Sequence, residues 1–130
     1  MIRVARRGRM AQLRGMAEGL QGGTLRLYTG PLPESPDDPP SVEAALLAEL
    51  PVATLELSDD GWLRFPVRGT GRVLGSIRWF QALAADGEVL LDGSAGRTSG
   101  ALIVPIDLVQ PGAPISMVCA LAAPESAEAA

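Results

Sequence analysis

The sequence predicts a mainly β fold: a single antiparallel β-sandwich or jelly-roll-like barrel with a short N-terminal helix. Several short segments between residues 24 and 121 alternate apolar and polar side chains, Gly-, Pro- and Asp-containing turns separate them, and only residues 9–21 show helical spacing. The chain has 130 residues, 47% of them apolar, which suits one folded domain. We divide it into a basic N-terminal arm and helix (1–23), a β-sandwich domain (24–121) and a flexible tail (122–130).

The N-terminal segment is basic and contains one amphipathic helical pattern. Its arginines are Arg3, Arg6, Arg7, Arg9 and Arg14. Apolar residues recur at helical spacing at Met10, Leu13, Met16, Ala17 and Leu20. Gly22 and Gly23 end the pattern, as glycine commonly does after a helix. Because internal glycines weaken a helix by about 1 kcal/mol each, we expect this short helix to dock on its own domain or on a neighbour.

A proline-rich segment follows the first predicted strand. Residues 24–29 alternate apolar and polar side chains, which is the period of a half-buried strand. The next twelve residues, 30–41, hold five prolines: Pro31, Pro33, Pro36, Pro39 and Pro40. Proline is excluded from helix interiors and central strands, so this segment is expected to be a stiff, extended, acidic loop.

The longest predicted strand is residues 72–83. Apolar side chains occur at both its odd-numbered and its even-numbered positions, so both faces should be covered and the strand should be central. Trp79 and Phe80 should bracket the core, one on each face. Residues 92–100 are small and polar, which indicates a flexible loop. A further strand is predicted at 42–50 after a short turn, with a helix over 42–49 as the alternative. Strands are also predicted at 52–57, 62–67, 88–91, 101–106 and 115–121. Turns or breaks are predicted at 58–61, 69–71, 86–87 and 110–114.

The side chains that most enzymes and metal sites use are scarce. The chain has no His and no Lys, which excludes Ser-His-Asp and Cys-His sets and Schiff-base chemistry. The single cysteine, Cys119, lies in an apolar run, which favours a buried side chain over a nucleophile. Residues 69–75 and 59–61 lack the spacing of phosphate-binding and calcium-binding loops. Paired carboxylates stay open, but no catalytic residue, metal site, cofactor or small-molecule substrate is expected.

Charge is distributed unevenly along the chain. Residues 1–26 carry six Arg and one acid, net +5, and residues 27–130 carry five Arg and fourteen acids, net −9, which together give −4. The basic start has three interpretations: a solvated beginning of a helix, an arm that docks on an acidic neighbour such as another copy, or contact with packaged nucleic acid. The acidic total gives no reason to expect nucleic acid as the main partner.

No secretory leader or membrane span is predicted. The first nine residues are charged, and the sequence lacks an apolar run of the length that a leader or a span requires. We therefore expect a soluble protein that is made in a cytoplasm and has no membrane partner.

Two groups of short motifs resemble one family. The first group lies at residues 20–30, 33–36 and 46–50, and the second at residues 79–80, 92–96 and 99–101. Over roughly residues 10–121 their order resembles small virion structural proteins from the head–tail gene clusters of tailed bacteriophages and prophages. The Arg-rich opening departs from the family pattern, as do Arg64, Arg68 and Arg72, where the family often has Thr, Ser and Asn.

The resemblance implies a non-enzymatic virion protein that is assembled in the host bacterial cytoplasm. Its partners would be other virion proteins, the major capsid protein first, and copies of itself in a homo-oligomer. We expect a minor capsid or decoration (cement) protein that bridges capsid subunits, with the five arginines and five prolines named above as contact candidates. The alternatives are a tail, head-to-tail joining or host-recognition component, and a carbohydrate-binding β-sandwich module. A small glycosidase or protease ranks last.

Overall fold

The computed structural model describes residues 5–122, which form one helix and ten strands. The helix, α1, spans Arg6–Leu20. The strands are β1 (Thr24–Thr29), β2 (Ala45–Pro51), β3 (Glu56–Leu57), β4 (Trp62–Thr70), β5 (Gly75–Ser76), β6 (Trp79–Leu83), β7 (Val89–Gly96), β8 (Leu102–Ile103), β9 (Leu108–Val109) and β10 (Pro114–Ala122). The described chain is mainly β with one N-terminal helix, so the predicted fold class is confirmed.

Eight of these strands form one sheet, in the order β2-β1-β6-β7-β8-β10-β4-β3. Its pairings are antiparallel except for β7 with β8, which is parallel, so the sheet is mixed rather than purely antiparallel. The sheet curls until β2 contacts β4, where Val52 and Val67 form an isolated antiparallel bridge. Strands β5 and β9 pair separately. The main sheet is therefore barrel-like.

The core fills the inside of this curled sheet. Along β10 the buried side chains are every second residue, from Ile115 to Leu121, and the residues between them are more exposed. The same period is seen in β4. Each fully buried Leu or Phe side chain contributes about 1.5–3 kcal/mol, so the core is the main source of stability. The largest fully buried side chains are Trp79, Phe65, Phe80, Leu13, Leu20, Leu25, Leu27, Leu47, Leu50, Leu63, Leu102 and Leu121.

Helix α1 packs at one end of the curled sheet. Leu13 and Leu20 are buried in the same core as the strands, and the helix contacts β3, β4 and β7. Strands β1, β4 and β7 begin at this end, and β2, β6 and β10 finish there, as their registers show. The helix contains three glycines, Gly8, Gly15 and Gly19, which weaken a helix on its own. Tertiary packing on the sheet therefore stabilises it.

The boundaries of α1 differ slightly from the predicted residues 9–21. The helix begins at Arg6, so Arg6 and Arg7 lie in its first turn rather than in an extended arm. It ends where the Gln21 N–H donates to the Ala17 carbonyl at 3.0 Å, after which Gly22 takes a φ of +77°. Residues 1–4 lie outside the described chain, and so does the predicted tail apart from Ala122, the last residue of β10.

Strand β6 lies inside the sheet, paired with β1 on one edge and β7 on the other, and all five of its residues are buried. Trp79 and Phe80 are both buried, and only Phe80 belongs to the main core, so the prediction that they lie on opposite faces is confirmed. The predicted continuous strand over 72–83 is wrong in its first half, because residues 72–74 are outside any strand and exposed. A Cβ on Gly75 would lie 2.8 Å from Leu47 Cδ2, and this close approach marks where the chain turns into β5.

Other predicted boundaries also need correction. Residues 92–96, predicted as a loop, complete β7, because Gly93 leaves room for the Phe80 ring of the paired strand. Two observed strands are shorter than predicted: β3 replaces the predicted strand 52–57, and β8 replaces 101–106. The strand predicted at 62–67 is longer, because β4 continues into the predicted break and ends at Thr70. The strands predicted at 24–29, within 42–50 and at 115–121 are confirmed as β1, β2 and β10.

Candidate interaction site

The predicted basic contact residues lie on α1. Arg6, Arg7, Arg9 and Arg14 are all exposed. Helical spacing places Arg7 and Arg14 away from the side that Leu13 and Leu20 anchor in the core, whereas Arg6 and Arg9 precede Leu13 on that side, in the first turns of the helix. Arg6 Nη2 donates to the Asp59 carbonyl oxygen at 3.0 Å, which ties the helix to the β3–β4 turn. Arg7 and Arg14 form no ion pair with any described residue, so their charges face solvent. Arg3 lies outside the described residues.

A cavity of about 290 Å³ opens beside the first turns of α1. Its walls combine both signs of charge with a partly buried indole. They are formed by Arg6, Arg9, Met10, Asp59, Asp60, Gly61, Trp62 and Ala122. Arg64 reaches Asp60 Oδ2 at 2.9 Å, and this hydrogen bond holds the pKa of the Asp60 carboxyl below its usual range. The charges in this cavity are therefore partly neutralised within the chain.

The other flank of α1 is apolar. Met16 and Gly15 of the helix face Leu90 and Leu91 of β7 across an open groove of about 450 Å³. Leu90 is 41% exposed. No other described atom lies within 4 Å of a Cβ built on Gly15, so the helix backbone is accessible from outside. We call the exposed side of α1, formed by Arg7, Ala11, Arg14 and Gly15 with this groove, the outer helix surface.

The predicted proline contact residues lie on the connection between β1 and β2. We call residues 30–44 the proline loop. Fifteen consecutive residues there belong to no helix or strand. Pro31, Pro36, Pro39 and Pro40 are exposed and Pro33 is partly buried, so the predicted loop is confirmed. Loops of this length without secondary structure are uncommon in compact domains and usually have a function.

The proline loop is held at its base and in two local turns. Gly30 takes a φ of +89°, and a Cβ there would lie 2.8 Å from Ala44 Cα, so the two ends of the loop are in close contact. The Asp38 N–H donates to the Ser35 carbonyl at 3.0 Å, and the Glu43 N–H donates to Ser41 Oγ at 3.1 Å. With proline fixing φ at five positions, the loop has fewer accessible conformations before it meets any partner.

Acidic and apolar side chains project together from the proline loop. Glu34, Asp37, Asp38 and Glu43 are exposed and form no ion pair with a described residue. Val42 is fully exposed, and Leu32 is 46% exposed. The loop therefore offers both acidic and apolar groups for contact with another surface.

The two surfaces lie at opposite ends of the barrel. Thr24, at the start of β1, pairs with Leu83 and Pro51 at the end that α1 covers. Thr29, at the other end of β1, pairs with Ala45, and the proline loop connects these two residues. Strand β1 has six residues, which separates its ends by about 17 Å. The loop of one copy therefore points away from the helix of the same copy.

The outer side of β1 and β6 carries a second buried cluster that sequence analysis missed. The Tyr28 and Trp79 rings stack with centroids 4.1 Å apart and planes 9° from parallel. Tyr28 OH donates to Gln81 Oε1 at 3.0 Å, and all three residues are buried outside the main core. Trp79 and Gln81 are two residues apart in one strand and therefore lie on the same face. This spacing is the sequence signal that could have indicated the cluster. The stacked faces leave no flat aromatic platform open to solvent here.

Neighbouring charges on the same side form a surface network. Arg26 Nε lies 2.9 Å from Glu49 Oε2, and Arg72 Nη2 lies 3.5 Å from Glu49 Oε1. All three side chains are about one-third exposed or more, so each pair stabilises the fold by about 0–1 kcal/mol. This network joins the end of β2 to the segment after β4 and does not form a pocket for a ligand.

Few described residues offer reactive chemistry. Cys119 is buried in β10, as predicted, and burial raises the pKa of its thiol to about 12. No group of three or more potential metal ligands occurs among residues 5–122. In the same range, no helix has the length and apolar character that crossing a membrane requires.

Comparison of the chain with protein-family models, with curated proteins and with solved structures finds no match. The class that the described residues define is a barrel-like, mainly β domain with a helix at one end and an acidic proline loop at the other. The exposed surfaces described above are the basis for a functional proposal.

Proposed function

We propose that this chain is a non-enzymatic structural protein of a tailed bacteriophage particle, a minor capsid or decoration protein that bridges capsid subunits. It acts by contacts between folded chains, among them other virion proteins and copies of itself. The sequence resemblance to virion proteins supports the assignment of this chain to a phage particle. The exposed surfaces support the proposal that it acts by contacts with other chains.

The observation that carries the proposal is the proline loop. Its fifteen residues form an ordered protrusion with a closed base, exposed acids and the fully exposed side chain of Val42. A segment that is stiff before binding loses little conformational entropy when it lies along a partner, so more of its contact energy appears as affinity. Such a loop suits a protein that joins large subunits.

The outer helix surface supports the same mode of action. Arg7 and Arg14 project from a helix whose other side is fixed in the core by Leu13 and Leu20. Charges on a rigid element steer an acidic partner into place and set its orientation. With the proline loop at the other end, this surface gives the molecule two contact regions, as a bridging subunit needs.

The alternatives differ in what supports them. A tail or head-to-tail joining component is favoured by the two contact regions at opposite ends, because end-to-end contacts produce rings or stacks. A carbohydrate-binding module is disfavoured, because Tyr28, Phe65, Trp79 and Phe80 are buried. Only Trp62 remains partly accessible, in the cavity beside Arg6.

The test is to purify particles from a host that carries the gene, separate heads from tails and quantify the chain in each by mass spectrometry. We expect the chain on heads at a copy number comparable with that of the capsid subunits. Particles that lack the chain would contradict the proposal, and recovery only with tails would replace it by the tail alternative.

A loop replacement tests the contact region itself. Residues 32–42 are replaced by a Gly-Ser linker of equal length, which should leave the far-UV circular dichroism of the barrel unchanged and remove the chain from particles. The matched control replaces residues 97–100, an exposed loop elsewhere, in the same way and should be incorporated normally. Normal incorporation of both variants would show that the proline loop is not the contact.

A further inference from the structure

We infer that the proline loop of one copy docks on the outer helix surface of a second copy, so that copies of this chain associate end to end. This inference rests on the proposed function, since it names one of the chains that the structural subunit contacts. The two surfaces belong to the same molecule but lie at opposite ends of its barrel.

The helix side offers cationic and apolar groups together. Arg7 and Arg14 are exposed and form no ion pair with another described residue. Both lie on one side of the small residues Ala11 and Gly15. The groove between Met16 and Leu90 lies on the other side. Glu18 is the one acid within α1, and Asp59 already accepts a hydrogen bond from Arg6 at its carbonyl. A partner that suits this surface is acidic, narrow and partly apolar.

The proline loop has these properties. Its four exposed acids, Glu34, Asp37, Asp38 and Glu43, match the unpaired arginines in sign. Its exposed apolar side chains, Leu32 and Val42, match the groove. The absence of side chains on Gly15 and beyond Cβ on Ala11 lets a stiff, extended segment approach the helix closely. Charge and shape therefore favour the same occupant.

The geometry makes the contact intermolecular and heterologous. Because β1 holds the two surfaces at opposite ends of the barrel, the loop of one copy is placed to meet the helix of another copy rather than its own. A contact between two different patches leaves one free helix surface and one free loop on every pair. It therefore propagates into a ring or a stack rather than stopping at a symmetric dimer.

Two charge-reversed variants of the full chain test the inference by sedimentation velocity at low ionic strength, where charge pairs are least screened. The helix variant is Arg7→Glu with Arg14→Glu, which changes the net charge from −4 to −8, and the loop variant is Asp37→Arg with Asp38→Arg, which changes it from −4 to 0. The wild-type chain should sediment faster as its concentration rises. Each variant alone should show an apparent Kd at least ten-fold weaker. The helix variant makes both surfaces acidic, and the loop variant lowers the charge of the loop from −4 to 0, because Glu34 and Glu43 offset the two introduced arginines.

An equimolar mixture of the two variants is the decisive sample. The unchanged acidic loop of the first then meets the unchanged helix of the second, as in the wild type. The acidic helix of the first no longer faces an acidic loop, because the loop of the second has a net charge of 0. Association should therefore return. A control with the same net charge of −8, Arg68→Glu with Arg97→Glu, changes exposed arginines outside both surfaces and should associate as the wild type does.

Other outcomes would overturn the inference. A wild-type chain that stays monomeric up to about 1 mM has no specific self-contact of useful strength. Association that survives in both variants uses another surface, and association that only the helix variant loses means that a different segment occupies the helix. A monomeric chain that still enters particles would leave the proposed function standing without this contact, whereas self-association without incorporation would remove the function and keep the contact.

Discussion

Among individual residues, Cys119 shows most directly how burial controls chemistry. Its side chain is fully buried in β10, and burial raises the pKa of the thiol to about 12. At about pH 8 only about one thiol in ten thousand is then a nucleophilic thiolate. We expect no labelling by iodoacetamide in the native protein and complete labelling after denaturation, measured by mass spectrometry.

The neighbouring residue provides a matched control. Val118 is 59% exposed on the same strand, so a Val118→Cys, Cys119→Ala variant places one thiol at the surface. This variant should react with iodoacetamide in the native state. Rapid native labelling of the wild-type chain would mean that β10 opens readily.

Asp92 is a residue at which charge opposes folding. Burial raises the pKa of its carboxyl, and Oδ2 is buried without a hydrogen-bond partner among the described residues. A raised pKa means that the folded state holds the proton more tightly than the unfolded state. The stabilising contribution of protonated Asp92 is then complete below the ordinary pKa of 3.8. It is lost as the pH rises through the pKa that Asp92 has in the folded state.

Asp92→Asn should therefore raise the melting temperature at neutral pH and have little effect below pH 3.8, as measured by thermal denaturation at both. The exposed Asp38→Asn is the control and should change the melting temperature at neither pH. A lower melting temperature for Asp92→Asn at neutral pH would show that the ionised carboxylate stabilises the fold.

At the scale of elements, two glycines near α1 should respond to alanine in opposite directions. Gly15 is inside the helix with no described atom within 4 Å of a built Cβ, so Gly15→Ala should stabilise the protein by about 1 kcal/mol through helix propensity. A Cβ on Gly23 would lie 1.9 Å from the Leu83 carbonyl oxygen, a backbone atom that cannot move aside. Gly23→Ala should therefore destabilise by at least about 1–3 kcal/mol, the usual cost of overpacking.

Urea denaturation of both glycine variants measures these changes. A stabilising Gly23→Ala would mean that the turn between α1 and β1 can shift away from β6. A destabilising Gly15→Ala would mean that the exposed side of the helix is already covered, which would also bear on the contact inferred for it.

The elements themselves differ in how far sequence predicts them. Strand β1 was predicted because one of its faces meets the core and its residue types alternate accordingly. Strand β10 was predicted from an apolar run that follows a turn, since its burial alternates but its residue types do not. The second half of β7 was missed because its residues are small and polar, and their strand conformation depends on pairing with β6. The break before β6 was missed because it depends on Gly75 meeting Leu47, a contact between residues far apart in the chain.

The candidate site shows the same limit. Exposure of the arginines and prolines follows from residue type and was predicted. Their placement at opposite ends of the barrel was not, because it depends on which strand ends meet, and that is decided by pairings such as Thr24 with Leu83 and Thr29 with Ala45. Without this placement, a basic segment and an acidic loop in one chain could as well have paired with each other.

At the scale of the whole molecule, the helix and the barrel share one core. Leu13 of α1 is fully buried among side chains of the strands, so the helix and the sheet should unfold together. Leu13→Ala should destabilise by about 2–5 kcal/mol. Circular dichroism at a helix-sensitive wavelength and tryptophan fluorescence, which reports Trp62 and Trp79 in the sheet, should give the same transition midpoint in the wild type and the same shifted midpoint in the variant.

Gln12→Ala is the control for this prediction, because Gln12 is the exposed neighbour on the same helix and should change stability by about 0.5 kcal/mol or less. If the helix signal were lost at a lower denaturant concentration than the fluorescence signal, α1 would be a separate element attached to a stable barrel. A single transition means instead that the outer helix surface exists only in the fully folded chain. Any partner that binds this surface then stabilises the barrel as well, through the mass-action effect of binding the native state alone.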